Sequence, residues 1–269
     1  PPFFDHKYRI VYSLIESVSK LRDIKHPAVR EVLKYLKSTA GLEIHHDGDL
    51  PARSGLGSSS AFTVGLLNAM NALEGKFISS ENLAKTAIHI EQNLIKECVG
   101  SQDQIAASFG GFNHIDFYSD ETFLVEPISI LQKRKINLND NLMLFFTGLS
   151  RFSSDVAESQ ISNMSNCSSQ MNELQSMVDD GIRILINTNT PIEEFGMLLN
   201  SAWQIKKSLS TMISNTKIDN LYETAIKAGA IGGKVLGAGG GGFVLFYVKP
   251  ENQVKVKEAL SGLTYVPFK

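Results

Sequence analysis

The most informative part of this 269-residue sequence is a short glycine and serine segment, Pro51-Ala52-Arg53-Ser54-Gly55-Leu56-Gly57-Ser58-Ser59-Ser60-Ala61. It follows a turn at residues 47–51 and opens a helix that is expected from Ser59 to about Leu73. Backbone N–H groups at such a helix start, with the positive end of the helix dipole, bind anions. The segment therefore predicts a triphosphate site, although a flexible turn followed by a helix cap would account for one of the three consecutive serines at residues 58–60.

Two other glycine segments resemble nucleotide-binding motifs of other folds, but neither meets the requirements of its motif. Gly232-Gly233-Lys234 is followed by Val235, so it lacks the hydroxyl that a Walker P-loop offers to Mg²⁺. Residues 237–242 match the glycine pattern of a dinucleotide fingerprint, but such a fingerprint follows a strand and opens a helix. Here the cluster is expected to follow a helix around residues 221–228 and to open a strand at residues 243–248. The remaining interpretation of this cluster is a turn that needs positive φ angles, and such a turn could also brace the phosphate segment.

Two acidic residues are candidates for chemistry. Glu91 lies in the apolar stripe of a helix expected at residues 80–96, where a carboxylate must be paired or bind a cation. A structural salt bridge and Mg²⁺ coordination beside ATP both remain open. Asp103 lies in a polar turn, Gly100-Ser101-Gln102-Asp103-Gln104, where it could serve as a helix cap or as a catalytic group.

The periodicity of the rest of the chain indicates a mixed fold. Residues 8–37 carry two helical patterns, the second beginning near Pro27, and the helix that opens at Ser59 is expected to be buried on most sides. Residues 155–229 read mostly as helices. Strands are expected at residues 42–46, 112–117, 122–125, 142–146, 243–248 and 264–266, with a helix at 251–260.

Composition excludes several classes of protein. Apolar residues make up 43% and charged residues 20% of the chain, as in ordinary globular domains. The 26 Lys and Arg against 28 Asp and Glu give a net charge of −2 with no basic block, so nucleic acid is not an expected partner. No apolar run is long enough to span a bilayer, so no membrane partner is expected. Cys98 and Cys167 form no metal-ligand pattern, which favours a cytoplasmic protein. The oligomeric state is not indicated.

The three motifs together resemble the GHMP kinase superfamily, named for galactokinase, homoserine kinase, mevalonate kinase and phosphomevalonate kinase. Residues 51–61 look like its Pro-x3-Gly-Leu-Gly-Ser-Ser-Ala phosphate motif. Glu91 with residues 100–104 resembles its acid helix and catalytic-Asp segment, and residues 234–243 resemble its C-terminal glycine motif. Within the superfamily, residues 100–104, 110–113 and 147–151 look most like the D-glycero-D-manno-heptose 7-phosphate kinases.

The resemblance implies a two-domain α+β fold with the active site between the domains, the first at residues 1–139 and the second at residues 140–269. It also implies transfer of the γ-phosphate of ATP, with Mg²⁺, to the anomeric hydroxyl of D-glycero-D-manno-heptose 7-phosphate. Another GHMP sugar kinase of the galactose or fucose type, and a non-catalytic paralogue that binds nucleotide or sugar, remain alternatives. Retention of Glu91 and Asp103 favours an enzyme.

The resemblance and the chemistry of the motifs also assign the site residues. Asp103 is expected to accept or orient the proton of the substrate hydroxyl, and Ser59 and Glu91 are expected to bind Mg²⁺. The nucleotide is expected to contact Pro51, Ser54, Gly55, Leu56, Gly57, Ser58, Ser59, Ser60, Gly239 and Gly240.

The acceptor sugar has fewer predicted contacts. Arg151 is expected to bind an anionic part of the substrate, because an arginine fork suits phosphate, although it could also be a surface residue. Lys206 and Lys207 are weaker candidates for that task, and Gly237 is a further expected substrate contact. The superfamily's N-terminal motif, which in this subgroup resembles Pro-x-Arg followed by Gly-Gly-x-Thr-Asp, has no counterpart before Pro51. We therefore expect either that an N-terminal piece is missing or that the protein is a degenerate paralogue.

Overall fold

The structure is a computed structural model that describes residues 7–49, 54–149 and 153–268. The chain divides into two compact units. Unit 1 consists of the described residues within Pro1–Ala52 and Gly57–Gly111, and unit 2 of those within Arg53–Leu56 and Phe112–Lys269. Residues 112–139 thus pack with unit 2. The domain boundary expected after residue 139 stays a prediction.

Unit 1 combines a small sheet with helices. In the sheet, β1 pairs with β2 in the antiparallel sense and with β3 in the parallel sense, in the order β2-β1-β3. The elements are β1 (Tyr8–Val11), β2 (Ile15–Val18), α1 (Pro27–Tyr35), β3 (Leu42–His45), α2 (Ser58–Leu73), α3 (Ser80–Ile88) and α4 (Gln102–Phe109). A π-helical segment, His89–Ile95, continues α3.

Helix α2 packs against α1, α3 and α4 in unit 1, and its face toward the core is mostly apolar. Val64, Leu67 and Met70 lie in one cluster with residues of α1 and β1. The opposite face carries Ala61 and Ala69, which are exposed. The expectation that this helix is buried on most sides is therefore wrong. Alanines on the open face present little apolar area, so leaving them in water costs little.

Residues 8–18 also differ from their expected structure, because they form the β1–β2 hairpin rather than a helix. Ile10, Val11, Ile15 and Val18 are β-branched, which favours a pleated strand over a helix. The alternation of buried and partly exposed positions in β1 has the period of a strand. The second helical pattern is confirmed as α1.

Unit 2 contains two sheets and a set of helices. The larger sheet has the strand order β7-β8-β6-β9, with antiparallel pairs throughout, and β4 pairs with β5 in the smaller sheet. The strands are β4 (Asn113–Phe117), β5 (Phe123–Pro127), β6 (Leu142–Phe146), β7 (Ala230–Val235), β8 (Phe243–Val248) and β9 (Thr264–Val266). The helices are α5 (Gln132–Asp140), α6 (Ser153–Asn163), α7 (Ser168–Ile186), α8 (Glu193–Ser208), α9 (Thr216–Lys227) and α10 (Pro250–Ala259).

The core of unit 2 lies under its larger sheet. Trp203 of α8 is fully buried with Phe145 of β6 and Phe246 of β8. The helix predicted before the glycine cluster is α9, but the unpredicted strand β7 stands between them, so residues 236–242 join β7 to β8. The cluster opens a strand and not a helix, as expected, and this excludes a dinucleotide fingerprint. In the part of the chain that the structure describes, no helix is both long and apolar enough to cross a bilayer.

Candidate active site

The second half of the phosphate segment forms the start of α2. Gly57 is the N-cap residue, with φ 68° and ψ 20° in the left-handed region, and no side chain of the described residues caps the helix. The first intrahelical bond runs from the Ala61 N–H to the Gly57 carbonyl, at 2.9 Å. The N–H groups of residues 58–60 therefore lie at the positive end of a 16-residue helix, without a side-chain acceptor in the described part of the chain. Such a helix start attracts anions.

Asp103 lies beside this helix start. A Cβ built on Gly57 would lie 3.0 Å from Asp103 Cγ and 3.2 Å from Asp103 Oδ2. Only glycine fits there, because the position combines a positive φ with this close approach. Burial and the negative charge of Glu91 raise the pKa of Asp103. Its side chain still reaches solvent, as a group that meets a substrate must.

Glu91 is held in the π-helical segment and is 1% exposed. Its Oε2 accepts a hydrogen bond from Ser60 Oγ at 2.8 Å and another from Gln104 Nε2. Its Oε1 has no hydrogen-bond partner within the described residues. A buried carboxylate oxygen without a donor is unfavourable unless a cation binds it. The donor set, a carboxylate beside a serine hydroxyl, is one that suits Mg²⁺.

The three consecutive serines of the phosphate segment, residues 58–60, have different surroundings. Ser60 is buried and contacts Glu91, whereas Ser59 is exposed and Ser58 is partly buried. The serine that contacts Glu91 is thus Ser60, whereas Ser59 was the predicted partner for the metal. Sequence reasoning missed Gln104 as the second donor, and the only signal for it was its place beside Asp103 in the same motif.

Within unit 2, Ser54 and Gly55 of the phosphate segment pack against the turn between β7 and β8. The Phe243 N–H donates to the Ser54 carbonyl at 3.3 Å, and a Cβ on Gly242 would lie 2.1 Å from that carbonyl oxygen. A Cβ on Gly237 would lie 2.7 Å from the Cα of Gly55. The glycine turn therefore braces the phosphate segment through close backbone contact, as the sequence suggested. Ser54 Oγ is buried and has no hydrogen-bond partner among the residues that the structure describes.

The remaining residues predicted to contact the nucleotide or the substrate are Gly239, Gly240, Leu56, Pro51 and Arg151. The Gly240 N–H donates to the Ile213 carbonyl at 2.8 Å, so this group is already used within unit 2. Gly239 has φ 116° and also approaches Ile213. Leu56 is partly buried. Pro51 and Arg151 lie outside the described residues.

The two adjacent lysines of α8 differ in environment. Lys206 Nζ donates to the Gly237 carbonyl at 2.6 Å, while Lys207 Nζ donates to Asp219 Oδ1 at 3.1 Å. Of the two, only Lys207 therefore has a carboxylate partner among the described residues. Lys206 instead reaches the glycine turn that packs on Gly55.

In unit 1, a helix start whose N–H groups can bind an anion lies beside two acids, an arrangement typical of phosphoryl-transfer enzymes. Comparison with known proteins gives the same class. The model of the GHMP kinases N terminal domain matches residues 23–111, and that of the GHMP kinases C terminal matches residues 187–265.

Individual proteins agree with these family matches. The chain is 32% identical over 234 residues to the D-glycero-alpha-D-manno-heptose 7-phosphate kinase of Campylobacter jejuni, covering 86% of this chain and 68% of that protein. It is 26% identical to the bifunctional fucokinase/GDP-fucose pyrophosphorylase of Arabidopsis thaliana, over 81% of this chain and 21% of that protein. The fold resembles the crystal structure of a D-glycero-D-manno-heptose 1-phosphate kinase from Bacteroides thetaiotaomicron, with a TM-score of 0.76, 22% identity and coverage of 99% and 81% of the two chains.

The protein is thus an ATP-dependent kinase, a phosphotransferase with an α+β fold. More specifically, the chain belongs to the GHMP kinases.

Proposed function

We propose that this ATP-dependent sugar kinase transfers the γ-phosphate of ATP to the anomeric hydroxyl of D-glycero-D-manno-heptose 7-phosphate. The observation that carries the proposal is the 32% identity to a heptose 7-phosphate kinase of Campylobacter jejuni over 86% of this chain. The matching of residues 100–104, 110–113 and 147–151 to that subgroup supports it.

We propose that ATP is held by its phosphates at the start of α2. Backbone N–H groups along Gly55–Ser59 would cradle the β- and γ-phosphates, and the absence of a side-chain cap within the described part of α2 supports this role. The other proposed nucleotide contacts are Pro51, Ser54, Ser60, Gly239 and Gly240.

Mg²⁺ would be held by Glu91 together with a serine hydroxyl of the same segment. Ser59 was the predicted partner, and the contact of Ser60 with Glu91 makes Ser60 a second candidate. The unpartnered Glu91 Oε1 fits a cation. When bound, Mg²⁺ would neutralise phosphate charge.

Asp103 would orient the acceptor hydroxyl and accept its proton. A carboxylate with a raised pKa is a stronger base than a free aspartate. Because phosphoryl transfer passes through a loose transition state, positioning of this hydroxyl contributes more than early proton removal. The close approach of Gly57 to Asp103 supports the proposal of a base beside the phosphate segment.

The experiment uses the full-length protein with Asp103→Asn as the test variant and ADP release as the readout. ATP binding should stay within a few-fold, while transfer to heptose 7-phosphate should fall by about a hundredfold or more, since general-base catalysis typically supplies about 10²–10⁴. Unchanged turnover would remove Asp103 from the mechanism.

The choice of acceptor is tested by competition with neutral sugars. If heptose 7-phosphate is the acceptor, galactose and fucose should be poor substrates. Arg151→Ala should raise the KM for heptose 7-phosphate by roughly tenfold to a hundredfold and leave the KM for ATP nearly unchanged, because a charge-assisted contact is lost. Equal use of neutral sugars would overturn the heptose assignment and leave the kinase class intact.

A further inference from the structure

Two lysines of unit 2 lie at the same end of the packed pair formed by α8 and β7. The helix meets the strand so closely that a Cβ on Gly232 would lie 2.0 Å from the Gly196 carbonyl oxygen and 2.8 Å from Asn200 Cβ. Side chains alternate along a strand, so Lys234, two residues after Gly232, also faces α8. Lys206 lies in the last turn of α8.

The head group of Lys206 is fixed at the glycine turn. Its Nζ donates to the Gly237 carbonyl at 2.6 Å. Gly237 in turn packs on Gly55 of the phosphate segment, where a Cβ on Gly237 would lie 2.7 Å from the Gly55 Cα. Lys206 therefore contacts Gly237, which packs on Gly55. Its ammonium group brings a positive charge close to a segment whose composition predicts phosphate binding.

Neither ammonium group is neutralised within the described residues. Burial and the positive charge of Lys234 lower the pKa of Lys206, and burial lowers the pKa of Lys234. Lys207, next to Lys206 on the same helix, has Asp219 as its counter-ion. Partly buried lysines that repel each other and have no carboxylate are costly to a fold, so an anion is the expected partner.

We propose that Lys206 and Lys234 together form a subsite for one phosphate group. The ligand is a phosphate dianion, carried either by the acceptor sugar or by the nucleotide. A carbonyl acceptor on Gly237 uses only one of the three donors of the Lys206 ammonium, which leaves two for phosphate oxygens. The acceptor arm of the proposal rests on the proposed function, and the nucleotide arm does not.

The test replaces each lysine with methionine, which keeps the apolar stem and removes the charge. Lys206→Met and Lys234→Met are compared with Lys207→Met, whose charge lies outside the subsite. Binding of heptose 7-phosphate, ATP and inorganic phosphate to the full-length protein is measured by calorimetry. Near-ultraviolet circular dichroism checks that each variant is folded, and Lys206→Gln provides a second, polar replacement.

The expected result is a loss of about tenfold to a hundredfold in affinity for the ligand that supplies the phosphate, in both test variants and not in the control. A loss confined to heptose 7-phosphate assigns the subsite to the acceptor, and a loss confined to ATP assigns it to the nucleotide. Affinities within twofold of wild type for all three probes, or an equal loss in Lys207→Met, would overturn the proposal. If wild type does not bind heptose 7-phosphate, the proposed function fails, while ATP and inorganic phosphate still decide the subsite.

Discussion

Replacing Gly57 with alanine should separate the stability of α2 from its role at the active site. Helix α2 begins after Gly57 and is followed at its other end by Gly75, and the two glycines have nearly equal φ angles of 68° and 69°. An L-residue in this left-handed conformation costs roughly 1–2 kcal/mol. Gly57→Ala and Gly75→Ala should therefore each lower the free energy of unfolding by about that amount.

Only the first substitution should affect catalysis strongly. A Cβ at Gly75 meets open space, whereas at Gly57 it would lie 3.0 Å from Asp103 Cγ. The Asp103 carboxyl group must move by a few tenths of an ångström to accept it. Since a misplacement of about 1 Å can cost about a hundredfold, we expect kcat of Gly57→Ala to fall about tenfold or more below that of Gly75→Ala.

The assay combines urea denaturation of both variants with initial rates of ADP release at saturating ATP and acceptor. Gly75→Ala is the matched control, because it carries the same backbone strain without the contact to Asp103. Equal kcat values for the two variants, at equal loss of stability, would refute the argument that Gly57 positions Asp103.

Three further outcomes follow from the same structure. Glu91→Gln should shift the Mg²⁺ titration of the kinase rate to higher concentration, since a hard oxygen charge is lost; a flat titration would return Glu91 to a structural role. Gly232→Ala should lower the free energy of unfolding by about 1–3 kcal/mol in urea denaturation, because its Cβ would overlap the α8 backbone; Gly262→Ala, which meets nothing within 4 Å, is the control. Burial and the charge of Lys234 lower the pKa of Lys206 to about 8, so affinity for the phosphate ligand should fall as pH rises from 7 to 9; Lys206→Arg, always charged, should flatten that dependence.

Motifs whose chemistry is local could be predicted from the sequence. The helix start at α2, the strand β8 and the placement of an acid in the apolar stripe of α3 and its extension depend on periodicity and on glycine and serine chemistry. The hairpin β1–β2 and the strand β7 were not predicted. Gly232 and Gly233 weaken the strand signal of β7, and the strand is stabilised instead by tertiary contact, as with Tyr222, whose hydroxyl bonds to the backbone of Gly233.

The hydrogen-bond partners at the site depend on how the helices pack, and this packing could not be predicted from the sequence pattern. Consecutive residues of a helix point about 100° apart, so only one of Ser59 and Ser60 can face an acid on a neighbouring element. The packing of α2 on α4 and the π-helical segment around Glu91 select Ser60. Lys206 and Lys207 differ for the same reason. They point in different directions from α8, so Lys206 contacts the Gly237 carbonyl and Lys207 contacts Asp219. Adjacent residues of one type, which a motif treats as equivalent, thus acquire different chemistry from the rotation of the helix that carries them.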